Sequence, residues 1–110
     1  MKKAFIAICC IVLVSCGSTK LITPGPSDAE RGSKKFPGMT VASLNEGKLN
    51  FETQCTKCHG IKNPKSKSEE QWKSIVPRMS AKANKKAGSE VVDAKMQESI
   101  LQYVVTMSGK

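Results

Sequence analysis

The 110-residue chain has little histidine, few aromatic side chains and few acidic residues. It contains one histidine, and aromatic residues make up 5% of the sequence. These aromatics are scattered, whereas proteins that bind single-stranded nucleic acid use clustered aromatics on which bases stack. The 9 acidic residues stand against 18 basic ones, giving a formal net charge of +9. Basic charge by itself suggests nucleic acid, an anionic membrane or an acidic protein as the partner. The scattered aromatics, together with the export signal and lipid site described below, argue against nucleic acid.

The sequence also lacks any sustained alternation of apolar and polar residues, so β-strands are not expected. Three helical segments are predicted instead. They run from about Ser43 to Thr53, from a capping box at Ser68 and Gln71 to a stop at Pro77, and from a cap at Ser89 to about Thr106. The predicted fold class is all-α.

The first fifteen residues have the pattern of a signal peptide. Lys2 and Lys3 precede an apolar run, residues 4–14, that is too short to span a bilayer. The run ends in LVSC, which resembles the lipobox of bacterial lipoproteins, and this resemblance implies a lipid on Cys16. Several acyl chains would anchor the mature protein stably in a membrane. The alternative is an ordinary signal peptide with a chance cysteine near its end.

Residues 17–35 are rich in glycine, proline, serine and charge, a composition typical of a flexible tether. A minor alternative is that Ser27 caps a short helical turn that packs on the domain. The predicted organisation is therefore a lipoprotein signal peptide at 1–15, a lipidated N-terminus and tether at 16–40, and a helical domain at 41–110.

Few cysteines remain to hold this domain together. Cys9 and Cys10 lie in the predicted signal peptide and Cys16 carries the predicted lipid, which leaves Cys55 and Cys58. A domain of about seventy residues without disulfides supplies a small apolar core. We therefore expect a bound group to complete the core.

Residues 55–60 read CTKCHG and place the single histidine, His59, directly after the cysteine pair. C-x-x-C-H is the attachment signature of haem c. Two thiols at this spacing can add to the two vinyl groups of one porphyrin, and the next residue falls beneath the iron. A zinc site would need further ligands that the domain lacks. A thioredoxin-like dithiol would need a βαβ context that is not predicted.

The chain from residue 43 to residue 107 resembles a small monohaem class I cytochrome c. Gly47, Phe51 and Cys55 match the spacing in the N-terminal helix of that family, and Tyr103 in ILQYVV matches the aromatic residue of its C-terminal helix. The resemblance implies three main helices around one covalently bound haem c, with the terminal helices crossing. Glycine inside a helix costs about 1 kcal/mol, which is reasonable where another helix must approach closely.

The sixth ligand of the iron cannot be a second histidine of this chain. The resemblance implies Met79 in WKSIVPRM, because the ligand methionine of that family often follows a helix and a proline. Pro77 would end the helix and leave the Met79 thioether free to turn inward. Met96, Met107 and an open position are the alternatives.

A further alternative is that Met79 only packs in the core. The helical spacing of a buried stripe also fits Trp72, Ile75, Val76 and Met79. In relatives a carbonyl near a proline such as Pro64 accepts the proton of the histidine ligand.

A His/Met-ligated iron has no open position for substrate, so the expected function is electron transfer and not enzymatic catalysis. We expect a lipid-anchored, monomeric carrier on the periplasmic side of the cell envelope, at the inner or outer membrane. Acidic redox partners such as membrane oxidases or dehydrogenases would meet a basic haem edge. That edge would be formed by Lys57, Lys62, Lys65, Lys67, Arg78, Lys82, Lys85 and Lys86. The alternatives are an open sixth position, as in a gas sensor or peroxidase, and a structural lipoprotein that the haem only stabilises.

Overall fold

The computed structural model describes residues 21–55 and 63–109. Within these ranges the chain is mostly helical and forms no β-strand, which confirms the all-α prediction. The four α-helices of the described chain are α1 (Pro26–Ser33), α2 (Val41–Asn50), α3 (Glu69–Ala87) and α4 (Ala94–Ser108). A π-helical turn at Phe51–Cys55 continues α2, and a 3₁₀ turn at Pro64–Ser66 precedes α3.

Side-chain caps define the starts of α2 and α3. The Thr40 hydroxyl accepts a hydrogen bond from the Ser43 backbone N–H at 3.0 Å, and α2 begins slightly earlier than predicted. Ser68 and Gln71 form the predicted capping box, with reciprocal bonds of 3.2 and 2.9 Å. These bonds satisfy backbone N–H groups that have no partner inside the helix.

The start of α4 differs from the prediction. Asp93, and not Ser89, is the N-cap, and its carboxylate accepts a hydrogen bond from the Met96 N–H at 2.7 Å. Gly88 ends α3 with φ of 70°, a left-handed conformation that glycine adopts without strain. The residues between Gly88 and Asp93 therefore form a loop, and Val92 is buried from that loop instead of from α4.

Helix α3 does not end at Pro77, and the prediction that it does was wrong. The proline is exposed and lies inside a continuous helix of 19 residues. Proline in a helix interior removes one backbone hydrogen bond and costs about 3 kcal/mol. The capping box at Ser68 and burial of Trp72 and Val76 stabilise the helix before the proline, and burial of Ser80 and the Gly88 cap stabilise it after the proline.

Helices α2 and α4 cross at Gly47, as the sequence predicts. A Cβ atom at Gly47 would lie 2.8 Å from the Cβ of Tyr103 and closer still to the Ser99 carbonyl oxygen. Phe51 packs beside the crossing, with its ring centroid 5.9 Å from that of Tyr103 and 6.0 Å from that of Trp72. Each aromatic pair at such a distance contributes about 0.5–1.5 kcal/mol beyond the burial of its area.

The main core is built around α4. Tyr103 is 1% exposed, and burial raises the pKa of its phenol to about 12, so that the side chain is neutral at ordinary pH. The other buried apolar residues of this core are Phe51, Trp72, Val76, Val92, Ile100, Val104, Val105 and Met107.

Helix α1 comes from the stretch that the sequence assigned to the tether, and it packs on α2 and α4. Gly25, and not Ser27, is its N-cap, and the Gly25 N–H donates to the Asp28 carboxylate at 2.8 Å. Arg31 donates to Asp28 at 3.1 Å and to the Thr106 carbonyl at 2.9 Å. A second apolar cluster forms beside α1 from Ala29, Met39 and Leu44. The packed structure thus extends into the predicted tether.

Candidate functional site

The CTKCHG motif begins at the end of the π-helical turn. Cys55 is the last residue of that turn and is half-buried against the main core. Cys58 and His59 lie outside the described residues, as do Cys16, Lys57 and Lys62. Their predicted roles in haem attachment, iron ligation, lipidation and charge therefore stay predictions.

Cys55 and Met79 line the same cavity. Its volume is about 60 Å³, and it lies where the π-helical turn meets α3 and the loop before α4. The other residues that line it are Gln54, Ser80, Lys82, Ala83 and Val92. The fold therefore brings the first cysteine of the attachment motif to the methionine that the sequence predicts as the sixth ligand.

Met79 reaches this cavity from within α3 and not from a loop. Its backbone is held in the helix, so the thioether can be aimed by side-chain rotation alone. Methionine has three rotatable side-chain bonds and a polarizable sulfur, which allows this adjustment. The alternative of a plain core stripe fits Trp72 and Val76, which are 3% and 4% exposed, better than it fits the half-buried Met79.

The alternative methionines lie in other parts of the molecule. Met96 lines an open groove between α2 and α4. Met107 is 4% exposed and belongs to the main core, and Met39 accepts a hydrogen bond on its sulfur from the Thr106 hydroxyl at 3.6 Å. Among the described methionines, Met79 is therefore the one placed to act together with Cys55.

The chain that follows the attachment motif is held at Pro64. The indole N–H of Trp72 donates to the Pro64 carbonyl at 2.7 Å in a buried hydrogen bond. The Asn63 side chain accepts a hydrogen bond from the Lys65 N–H at 2.9 Å and caps the 3₁₀ turn. The prediction places the partner of His59 at a carbonyl near Pro64, and the carbonyl of Pro64 itself is bonded to Trp72 through one of its two lone pairs. The described chain is therefore held on both sides of residues 56–62, at Cys55 and at Asn63.

Asn84 fixes another wall of the cavity. Its side-chain amide donates to the Val92 carbonyl at 3.0 Å and accepts from the Val92 N–H at 2.8 Å. This pair of bonds holds the loop before α4 against α3, with the Val92 side chain 3% exposed. Sequence reasoning missed Asn84 and the hydrogen bond of Trp72 to Pro64, because both side chains are bonded to backbone that no local pattern identifies in advance.

Positive charge dominates α3 beyond its first turn. Its acidic residues, Glu69 and Glu70, both lie at the start of the helix. The hydrogen bond from Lys35 is the main cause of the lowered pKa of Glu69, and Lys73 adds to it. The exposed basic residues farther along the helix are Arg78, Lys82, Lys85 and Lys86. The part of α3 that borders the cavity is thus basic.

Within residues 21–55 and 63–109, no group of three or more histidine, cysteine or acidic side chains could hold a metal ion. No helix in these ranges is long and apolar enough to cross a membrane. No protein-family model matches the chain, and neither a curated protein nor a solved structure matches it. The candidate site is therefore described only from the residues of this chain and their arrangement.

Proposed function

We propose that this chain is a lipid-anchored electron carrier of the class I cytochrome c type. One haem c would be attached through Cys55 and Cys58, with His59 and Met79 as the axial ligands. One arrangement carries the proposal: Cys55 and Met79 line the same cavity although they belong to different helical segments. A bound haem c supplies reversible one-electron chemistry. With both axial positions filled by side chains, the protein would be a carrier and not an enzyme.

The donor set suits the proposed group. Cysteine thiols provide covalent attachment, and an imidazole with a thioether is an established axial pair for haem iron. Ala83 and Val92 give the cavity apolar lining, which favours an apolar ring over a hydrated ion. The crossing of α2 and α4 at Gly47, beside Tyr103, also supports the resemblance to class I cytochromes c.

The basic part of α3 supports an acidic redox partner. Arg78 and Lys82 flank Met79 in the sequence, and both are exposed. Positive charge beside the site would orient an acidic partner and raise the association rate, with a strong dependence on salt. Membrane oxidases or dehydrogenases at the periplasmic side of the cell envelope are the proposed partners. A lipid on Cys16 would confine a monomeric carrier near them.

The first experiment is visible absorption spectroscopy of the haem-loaded, mature protein in both oxidation states. We expect a low-spin spectrum with the weak far-red thioether-to-iron band, insensitive to carbon monoxide. Met79→Ala should lose this band and bind carbon monoxide. Met96→Ala is the matched control, because it removes the same side chain from the groove between α2 and α4, and it should keep the band.

Three results would contradict the proposal in different ways. A high-spin wild type that binds carbon monoxide would support the alternative, an open sixth position suited to gas sensing or peroxide chemistry. Loss of the band in Met96→Ala alone would move the axial ligand to that residue. Absence of covalently attached haem from the purified protein would exclude the electron carrier altogether.

A further inference from the structure

The described chain begins at residues that pack against the rest of the fold. Leu21, the first described residue, is half-buried against the main core, and Pro24 is buried. Helix α1 follows directly and is held to the far end of α4 by the hydrogen bond from Arg31 to Thr106. The described chain therefore begins at a point that Leu21 and α1 fix on the fold.

The distance from this point to the lipid is short. Cys16 precedes Leu21 by five residues. A fully extended chain spans at most about 3.6 Å per residue, so these two residues lie within about 18 Å of each other in any conformation. If Cys16 carries acyl chains in a bilayer, the surface around Leu21 must lie close to the lipid headgroups.

The chemistry of this surface matches an anionic bilayer. Leu21 and Ile22 line a small depression together with Pro64 and Lys65. Ile22 is 53% exposed, which is unusual for a large apolar side chain in the described chain. Lys67 does not line the depression, but its backbone N–H donates to the carbonyl of Pro64, which does. Lys65 and Lys67 are both exposed, and neither forms an ion pair with a described carboxylate. An exposed apolar side chain next to ammonium groups is the combination that binds anionic lipid headgroups.

We propose that the surface formed by Leu21, Ile22, Lys65 and Lys67, here called the anchor face, docks on an anionic lipid bilayer. This inference rests on the lipid that the proposed function places on Cys16. It divides the basic residues of the chain into two sets with different partners. Lys65 and Lys67 contact the bilayer, and the basic residues of α3 are left for the redox partner.

Hydrogen–deuterium exchange of the lipidated, haem-loaded protein tests the anchor face. The protein is reconstituted in vesicles of about one third phosphatidylglycerol with phosphatidylethanolamine, and in neutral phosphatidylcholine vesicles. We expect the amides of residues 21–23, 63 and 65–67 to exchange more slowly on the anionic vesicles, by about fivefold or more, since each bound lysine raises the equilibrium constant for docking by about a factor of five. Lys65→Glu/Lys67→Glu should abolish this difference. Lys85→Glu/Lys86→Glu, an equal charge reversal at the end of α3, should preserve it.

Equal exchange on both kinds of vesicle would overturn the proposal, as would slower exchange in α3 instead of the anchor face. If exchange of the anchor-face amides slows with the amount of protein per vesicle and not with lipid charge, the face binds a second copy of the chain instead of the bilayer. Mass spectrometry of the N-terminal peptide reports the acyl chains, and a mature chain without them also overturns the proposal. The visible spectrum of the same sample reports the haem, so failure of the electron-carrier proposal is distinguished from failure of membrane docking.

Discussion

Gly47 shows how one residue sets the distance between two helices. The backbone of α2 approaches α4 so closely at this point that a single added carbon would meet both Tyr103 and the Ser99 carbonyl. The close approach also brings Phe51 against Tyr103. Because Gly47 has no side chain, the two helices can come close enough for Phe51 and Tyr103 to pack against each other.

Gly47→Ala should lower the free energy of unfolding by about 1–3 kcal/mol, because an extra carbon in a packed interface forces the helices apart. This loss should appear although alanine is favoured over glycine in a helix by about 1 kcal/mol. Urea denaturation measures the change. Gly109→Ala is the control, since its Cβ would lie 3.8 Å from the nearest atom, an ordinary contact. A stabilised Gly47→Ala variant would show that the helices do not approach closely.

Residues with a local signature were predictable and residues with distant backbone partners were not. The glycine in a helical pattern indicated the crossing, and Ser68 with Gln71 matched a known capping box that the structure contains. The hydrogen bonds from Trp72 to Pro64 and between Asn84 and Val92 had no such signature, because a side-chain amide or indole can bond to any backbone that the fold brings near. Both help to form the candidate site, and only the tertiary structure identifies them.

Among the helices, α3 departs most clearly from the prediction. The rule that proline ends a helix is local, and here burial on both sides of Pro77 and caps at both ends of the helix outweigh it. Tertiary contacts also explain why α4 is capped by Asp93 and not by the predicted Ser89, because Asn84 holds the preceding loop at Val92. For α2, α3 and α4 the element type followed from the sequence, whereas the boundaries depended on packing between elements, and α1 was not predicted as a main helix.

Pro77→Ala should raise the free energy of unfolding by about 2–3 kcal/mol, because alanine restores the missing backbone hydrogen bond of a continuous helix. Pro77 is exposed, so little packing is lost. Thermal or urea unfolding followed by circular dichroism provides the measurement. Pro37→Ala is the control, because Pro37 is exposed in the turn between α1 and α2, where alanine should be neutral or destabilising by about 0.4–1 kcal/mol. Failure of Pro77→Ala to stabilise would mean that the helix is interrupted before Met79.

On the scale of the whole molecule, α1 joins the beginning of the described chain to its end. Arg31 and Thr106 are 75 positions apart, and the Arg31 guanidinium donates a hydrogen bond to the Thr106 carbonyl, which lies in the last turn of α4. Composition predicted a tether here, because glycine, proline and charge are common in flexible segments. The buried Asp28 and its pairing with Arg31 give the charged residues of this segment a structural role instead.

Arg31→Gln should lower the free energy of unfolding by about 1–3 kcal/mol, because it removes the guanidinium that donates to the 1%-exposed Asp28 and to the Thr106 carbonyl of α4. Exchange of the α1 amides should accelerate at the same time, since docking of α1 on α4 is weakened. Lys34→Gln is the matched control, as it removes the same charge from an exposed residue at the end of α1. Urea denaturation and hydrogen exchange measure the two effects. Equal, small losses of unfolding free energy in both variants would show that the ion pair does not hold α1. The position of the chain at Leu21 would then depend on the apolar contacts of Leu21 and Ala29.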